Sequence, residues 1–303
     1  MLKPWFMHHS FFKMLRKSNS YALRSVKLHV TAANPQKETL EITEDDTGKK
    51  RHLTYTKTIG PSQPGIIYIP GFMSGKDGNK PIAIDSFCQK NKLSFVRYDP
   101  SGLGDSDHEI DLKNARLSHW IEDARHMLLQ ATEGPQLVIG SSMGAWIACY
   151  LAMRHPEKFS QLLLLAPALN FARPYIQKMH EKLPASIIER LKKGESIEYF
   201  DPRNPDWGEM PISLSLFEDM LQYEVPLEKG MLPINCPVRI IHGVKDADVP
   251  YKNSLKLLDG LASSDVQLTY IKHGDHRISD QNSLEVICDA ITKMIHGDIQ
   301  AKL

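Results

Sequence analysis

The sequence predicts an α/β protein with a mainly parallel central sheet, helices flanking that sheet, and an inserted helical cap. From residue 65 onward, short apolar runs alternate with helix-length stretches, which is the pattern of βαβ units. One long segment between residues 169 and 233 interrupts this alternation. The chain has 303 residues, 42% of them hydrophobic, so it can bury a large core without disulfide bonds.

A β-hairpin is predicted first, because residues 39–43 and 51–57 alternate around the turn-forming residues 45–48 (DDTG). The apolar runs that follow predict strands at residues 65–70, 94–99, 136–140, 161–166, 238–242 and 266–271. Helical spacing between them predicts helices at residues 81–90, 117–131, 145–154, 252–261 and 283–295. This alternation of strands and helices predicts βαβ units and a mainly parallel sheet.

The interrupting segment is the predicted cap, at about residues 170–232. It is rich in proline, methionine and aromatic residues and contains no convincing core strand. A structureless loop of that length is uncommon in a compact domain, so we expect a partly helical insertion. Its apolar side chains could line an acyl pocket, and core packing explains any one of them equally well.

Charge and composition exclude several classes of function. Lysine and arginine total 37 and acids 36, which gives no reason to expect nucleic-acid binding. No apolar run approaches the roughly 20 residues of a membrane-spanning helix. The four cysteines form no C-x-x-C pair, and no HExxH or complete G-x-G-x-x-G motif occurs, so neither a metal nor a cofactor is expected.

The first 37 residues differ from the rest of the chain. They contain seven lysines and arginines and no acid, which leaves 30 bases and 36 acids in residues 38–303. Aromatic residues and serines are interleaved with these bases. A basic, acid-free and potentially amphipathic segment is typical of a mitochondrial transit peptide, and the alternative is a disordered basic arm. Residues 38–303 would then form the folded domain.

The strongest motif is G-x-S-x-G at residues 140–144, which lies between a predicted strand and a predicted helix. That context is the one a nucleophile elbow requires. Ser142 is therefore the candidate nucleophile, whereas Ser141 lacks the two-residue spacing to both glycines. The helix that follows would favour developing negative charge.

A serine nucleophile needs a base and an acid, which in this chain order follow later strands. Asp246, after the strand at 238–242, is the candidate acid, with Asp248 as the alternative. His276, after the strand at 266–271, is the candidate base, with His273 as the alternative. Both positions follow the carboxyl ends of strands, where open α/β sheets place their sites.

An oxyanion hole should complete the site. The amide of Met143, directly after the candidate nucleophile, is one expected donor. The amide of Phe72, after Gly71 in the loop that leaves the first parallel strand, is the other; its ring could equally line the pocket. The glycine-containing run at residues 99–106 is interpreted as a structural turn beside the site, since Asp107 stands where a nucleotide-binding motif has its third glycine.

Several stretches together resemble the serine α/β-hydrolase superfamily, and more closely the mitochondrial α/β-hydrolase-domain protein 10 family. They are GIIYIPGFMS, FVRYDPSGLGDSD, GPQLVIGSSMGAW, RHPEKF, NCPVRIIHGVKDADVP and KHGDHRISD. The resemblance implies the α/β-hydrolase fold, a palmitoyl-protein thioesterase and acyl-glucuronide esterase activity, and a mitochondrial location, with the matrix expected. It also implies a triad at Ser142, Asp246 and His276.

We therefore expect a serine hydrolase that cleaves acyl thioesters or esters through an acyl-enzyme, acting on an acylated protein or a small acyl ester. The alternatives are a small-molecule carboxylesterase or lipase-like enzyme, and a non-catalytic binding protein with a hydrolase fold.

Overall fold

A computed structural model of the chain describes residues 35–43, 48–107, 113–200 and 209–297. The predicted targeting segment therefore lies almost entirely outside the described residues. The strands are, in chain order, β1 (Gln36–Thr43), β2 (Lys50–Thr58), β3 (Ser62–Ile69), β4 (Leu93–Tyr98), β5 (Gln136–Ser141), β6 (Phe159–Leu165), β7 (Ser196–Phe200), β8 (Glu209–Ser213), β9 (Val238–Gly243) and β10 (Val266–Ile271). The α-helices are α1 (Asn79–Lys90), α2 (Leu117–His126), α3 (Met143–Arg154), α4 (Ala172–Lys182), α5 (Ala185–Lys192), α6 (Leu214–Met220), α7 (Asn253–Gly260) and α8 (Gln281–His296).

Among the described residues, eight strands form the central sheet, in the order β1-β2-β4-β3-β5-β6-β9-β10. The six strands from β4 to β10 in that order run parallel, and β1 and β2 form an antiparallel edge. This confirms the predicted mainly parallel sheet. The predicted hairpin is also confirmed, since Thr43 pairs with Lys50, while its turn residues 44–47 lie outside the described part of the chain.

Helices cover both faces of the sheet, as short parallel strands with two buried faces require. One core lies against α2, α3 and α7 and contains the buried rings of Trp120 and Trp146. The other lies against α1 and α8 and contains Ile84, Ile287 and Ile291. The helix predicted at 117–131 is α2 followed by a π-helical turn, Met127–Ala131.

The cap segment (residues 170–232) leaves the sheet after β6 and returns before β9. It contains α4, α5 and α6 and also β7 and β8, which pair with each other and stay separate from the central sheet. Sequence reasoning missed this hairpin, because each of its strands is only five residues long. Asn170 closes the segment, donating from its amide to the Val225 carbonyl and accepting from the Val225 amide, at 2.7 and 3.0 Å.

No helix in the described ranges is both long enough and apolar enough to cross a membrane.

Candidate active site

The order of the strands places a crevice between β3 and β5. These strands are parallel neighbours, but the chain continues from β3 to β4 on one side and from β5 to β6 on the other. Connections that diverge in this way leave a crevice at the carboxyl ends of the strands, where open α/β sheets bind ligands. Phe72 follows β3 and Ser142 follows β5, so both lie at this crevice.

Ser142 stands on a sharp turn between β5 and α3. Its φ of 55° and ψ of −118° are unfavourable for a residue with a side chain and cost about 1–3 kcal/mol. The flanking glycines make the turn possible: a Cβ on Gly140 would lie 2.6 Å from the Gly144 carbonyl oxygen, and a Cβ on Gly144 would lie 2.2 Å from the Ile69 carbonyl oxygen. The strand, turn and helix predicted around this serine are all present.

The loops after β9 and β10 are held against each other at the same edge of the sheet. A Cβ on Gly243 would lie 2.3 Å from the carbonyl oxygen of Gly274, so the two loops approach each other too closely for a side chain there. The Lys245 amide donates to the Gly274 carbonyl at 2.9 Å. Asp246 and His276, each a few residues farther along its loop, are thereby brought together.

The three predicted triad residues form one chain of hydrogen bonds. His276 Nε2 lies 2.9 Å from Ser142 Oγ, and His276 Nδ1 lies 2.7 Å from Asp246 Oδ2. The Asp246 side chain is fully buried, and the His276 ring is 21% exposed. A hydroxyl, an imidazole and a carboxylate in this order and at these distances can transfer the hydroxyl proton to the ring.

Four donors surround the Asp246 carboxylate. Oδ1 accepts from the backbone amides of Asp248 and Val249 at 2.8 and 2.7 Å. Oδ2 accepts from His276 and also from His242 Nε2, at 2.9 Å. Burial alone would raise the pKa of Asp246, but the hydrogen bonds from the two histidines and the Val249 amide hold the pKa well below its usual value.

Sequence reasoning missed His242. Its ring is fully buried at the end of β9, with Nδ1 2.7 Å from Ser254 Oγ and Nε2 facing Asp246. The available signal was its position in the run VRIIHG, four residues before the candidate acid and at the end of a buried strand. Spacing alone does not reveal such a contact, because the loop that follows β9 must fold back toward the strand.

The hydrogen-bond chain from Ser142 to Asp246 runs through His276 and bypasses the side chains considered as alternatives. Ser141 is buried at the end of β5, where its side chain hydrogen-bonds with Tyr68. His273 is exposed on the loop after β10. Asp248 lies beside the site and donates its backbone amide to Asp246, whereas His276 Nδ1 bonds to Asp246 itself. The geometry therefore favours Ser142, Asp246 and His276 over each alternative.

The two predicted oxyanion donors flank Ser142. Met143 begins α3, so its amide belongs to the first turn, whose N–H groups have no partner within the helix. The loop that carries Phe72 lies close to the elbow: a Cβ on Gly71 would be 3.1 Å from Ser142 Cβ. The Phe72 ring is half-buried and makes an edge contact with Trp120, 5.8 Å between ring centroids.

An ion cluster centred on the buried pair Lys76 and Asp99 ties the Phe72 loop to the loop after β4. Lys76 Nζ lies 2.7, 2.9 and 2.7 Å from carboxylate oxygens of Asp77, Asp99 and Asp105. Asp99 also accepts the Lys76 amide at 2.7 Å, which fits the interpretation of residues 99–106 as a structural turn. Two clusters in the described ranges have side chains close enough together to bind a cation. The aspartates of this cluster surround the lysine ammonium, and the other cluster includes Asp246 and His276, which hydrogen-bond to each other.

Comparison with known proteins identifies the family. Residues 84–281, which include all three triad candidates, match the family model described as serine aminopeptidase, S33. Mouse palmitoyl-protein thioesterase ABHD10, mitochondrial, is 33% identical over 245 residues, which cover 80% of this chain and 79% of the mouse protein. The chain belongs to the α/β-hydrolase-domain protein 10 family.

Structural comparison agrees with this membership. The solved structure of mouse α/β-hydrolase-domain protein 10 superposes with a TM-score of 0.72 at 28% identity, covering 85% of this chain and 98% of that one. A monoacylglycerol lipase of Mycolicibacterium smegmatis is 26% identical over 59% of this chain and 70% of its own. The predicted α/β-hydrolase fold is confirmed, and this member of the α/β-hydrolase-domain protein 10 family is a hydrolase of the esterase and thioesterase class.

Proposed function

We propose that Ser142, His276 and Asp246 are the catalytic triad and that the enzyme hydrolyses acyl thioesters and esters through an acyl-enzyme. The observation that carries the proposal is the continuous hydrogen-bond chain from Ser142 Oγ through both His276 nitrogens to Asp246. Ser142 Oγ attacks the substrate carbonyl carbon while His276 Nε2 takes the hydroxyl proton. Asp246 holds the tautomer in which Nδ1 carries a proton and stabilises the imidazolium that forms.

The acyl-enzyme then forms and breaks by proton transfers at His276. The imidazolium gives its proton to the departing thiolate or alkoxide, and the acyl group stays on Ser142 Oγ. Water enters, loses a proton to His276 Nε2 and attacks the ester carbon, and the carboxylic acid leaves as Ser142 recovers its proton. The backbone amides of Met143 and Phe72 would hold the oxyanion in both steps, each worth about 3 kcal/mol.

The proposed substrate is a long acyl chain carried by a protein, with acyl glucuronides as small substrates. The support is the name of the mouse relative, a palmitoyl-protein thioesterase, and the aromatic character of the cap segment. A chain of ring contacts runs from Trp146, one turn after the elbow, through Phe171 and Tyr175 to Phe217. Trp146 and Phe217 are buried, whereas Phe171 and Tyr175 are partly buried, so the latter two rings offer the apolar surface that suits an acyl group.

A second candidate is a small-molecule carboxylesterase or lipase-like hydrolase. The observation that favours it is the similarity to the monoacylglycerol lipase of Mycolicibacterium smegmatis, which extends over 59% of this chain. The two candidates share the triad and differ in the leaving group. The third candidate is a non-catalytic binding protein with a hydrolase fold, which labelling of Ser142 by a fluorophosphonate probe would exclude.

A fluorophosphonate probe tests the triad, because it reacts covalently with an activated serine. We expect labelling of the full chain and none of Ser142→Ala; an unlabelled wild-type protein, or equal labelling of both, would refute the catalytic proposal. Turnover of a palmitoyl thioester, an acyl glucuronide and a p-nitrophenyl ester then separates the substrate candidates. The thioesterase proposal predicts the highest kcat/KM for the palmitoyl thioester.

We also propose that the protein is mitochondrial, in the matrix, and that its basic amino-terminal segment is a transit peptide. The relatives are named as mitochondrial, and the segment has the required basic, acid-free composition. The proposed cleavage falls before Gln36, where β1 begins, two residues ahead of the boundary predicted from charge. Amino-terminal sequencing of protein from purified mitochondria tests this, and an intact Met1 would contradict it.

A further inference from the structure

We propose that His242 is a fourth member of the site: a positioning residue that orients Asp246 toward His276 through its Nε2–H group. This inference rests on the proposed triad and adds a residue that acts on the acid rather than on substrate. Its geometric basis is the shared acceptor, because His242 Nε2 and His276 Nδ1 lie 2.9 and 2.7 Å from the same oxygen, Asp246 Oδ2.

The hydrogen-bond partners of His242 determine which of its ring nitrogens carries the proton. An ionised carboxylate only accepts hydrogen bonds, so each ring nitrogen that faces Asp246 Oδ2 must carry a hydrogen. In the neutral ring the other nitrogen of His242 then accepts, and its neighbour is the Ser254 hydroxyl at 2.7 Å. Ser254 is fully buried at the start of α7, so its hydroxyl can donate to Nδ1 and hold the ring plane of His242.

The orientation of the Asp246 carboxylate depends on His242 in addition to two backbone amides. The amides of Asp248 and Val249 both bond to Oδ1. They fix that oxygen but leave the position of Oδ2 less restrained. His242 approaches Oδ2 from the β9 side, and His276 approaches it from the loop after β10. With His242 in place, Asp246 Oδ2 stays where His276 Nδ1 meets it at 2.7 Å.

The other charged and titratable groups near this carboxylate do not replace that contact. Asp248 lies on the same loop and contributes its backbone amide. Lys80, at the start of α1, interacts with Asp246 electrostatically, but its ammonium donates to the Arg277 carbonyl. Side-chain hydrogen bonds from His242 and His276 therefore both hold Asp246 Oδ2.

The test compares two amide variants that differ in reach. In His242→Gln the side-chain NH₂ lies three bonds from Cβ, as imidazole Nε2 does, so the donor to Asp246 is kept. In His242→Asn the NH₂ lies two bonds from Cβ, as Nδ1 does, so Asp246 loses its donor. Both variants lose the ring, and both place one amide in the same buried site, which makes them a matched pair.

We expect kcat of His242→Asn to fall about 10- to 100-fold with KM nearly unchanged, and His242→Gln to recover most of that loss. The low-field proton NMR signal of the His276–Asp246 hydrogen bond should persist in the glutamine variant and shift or disappear in the asparagine variant. His296→Leu, which removes an exposed histidine at the far end of α8, controls for loss of a histidine and should match wild type.

Equal kcat and equal NMR signals in the two amide variants would overturn the proposal, whatever their stability to urea. The same holds if His242→Asn matches wild type. Failure of the triad itself looks different: the wild-type protein would then not react with the fluorophosphonate probe. If one amide variant does not fold, the variant that folds is judged by the same signal, which must persist for glutamine and change for asparagine.

Discussion

Replacing Asp246 by asparagine preserves the shape of the buried side chain and changes its hydrogen-bonding capacity. The carboxylate accepts two hydrogen bonds at each oxygen, from backbone amides at Oδ1 and from two imidazoles at Oδ2. Asparagine has one accepting oxygen. Because backbone amides can only donate, that oxygen must face them, and the NH₂ group must face His242 and His276.

This arrangement reverses the tautomer of His276. Its Nδ1 must become an acceptor for the new NH₂ group, so the ring proton moves to Nε2 and faces Ser142 Oγ. A ring protonated there cannot take the serine proton. The same exchange in a Ser-His-Asp triad lowers kcat about 10⁴-fold, which corresponds to about 5.5 kcal/mol of transition-state stabilisation. We expect a loss of this size with little change in KM.

The assay is kcat for ester hydrolysis by Asp246→Asn, beside Asp248→Asn as the matched control. Asp248 lies on the same loop and donates its backbone amide to Asp246, which the substitution leaves in place. Because His276 Nδ1 bonds to the carboxylate of Asp246, the control should lose much less activity than Asp246→Asn. A loss below tenfold for Asp246→Asn in folded protein, or a larger loss for Asp248→Asn, would refute the assignment of the acid.

Three further predictions concern stability, measured as the free energy of unfolding in urea. Lys76→Met should cost about 3–5 kcal/mol, because it leaves the buried Asp99 carboxylate without its cation, whereas Lys37→Met breaks an exposed pair and should cost under about 1 kcal/mol. Gly144→Ala should cost about 3 kcal/mol and abolish labelling, because the new Cβ would lie 2.2 Å from the Ile69 carbonyl oxygen; similar stability to wild type would contradict this. The folded Asp246 carboxylate binds its proton more weakly than the unfolded one, so its stabilisation is complete above the unfolded pKa of about 4 and is lost as pH falls. The stability difference between wild type and Asp246→Asn should therefore shrink below about pH 4, and a constant difference would argue against ionised Asp246.

Local patterns predicted most of the sheet. The apolar runs at 136–140 and 238–242 became β5 and β9 within one residue at each end, because buried parallel strands need continuous apolar sequence. The cap segment was harder to predict. In the described part of the chain its hairpin, β7 and β8, pairs only with itself, and strands of five residues carry a weak periodic pattern.

The sequence by itself determined the nucleophile, its turn and the type of fold, since G-x-S-x-G between a strand and a helix is a local constraint imposed by sterics. It also narrowed the acid and the base to two positions each. Choosing between Asp246 and Asp248, or between His276 and His273, required the tertiary structure, because a hydrogen bond depends on where separate loops meet. The contact between His242 and Asp246 also depends on the tertiary structure, because the loop after β9 must fold back onto its own strand.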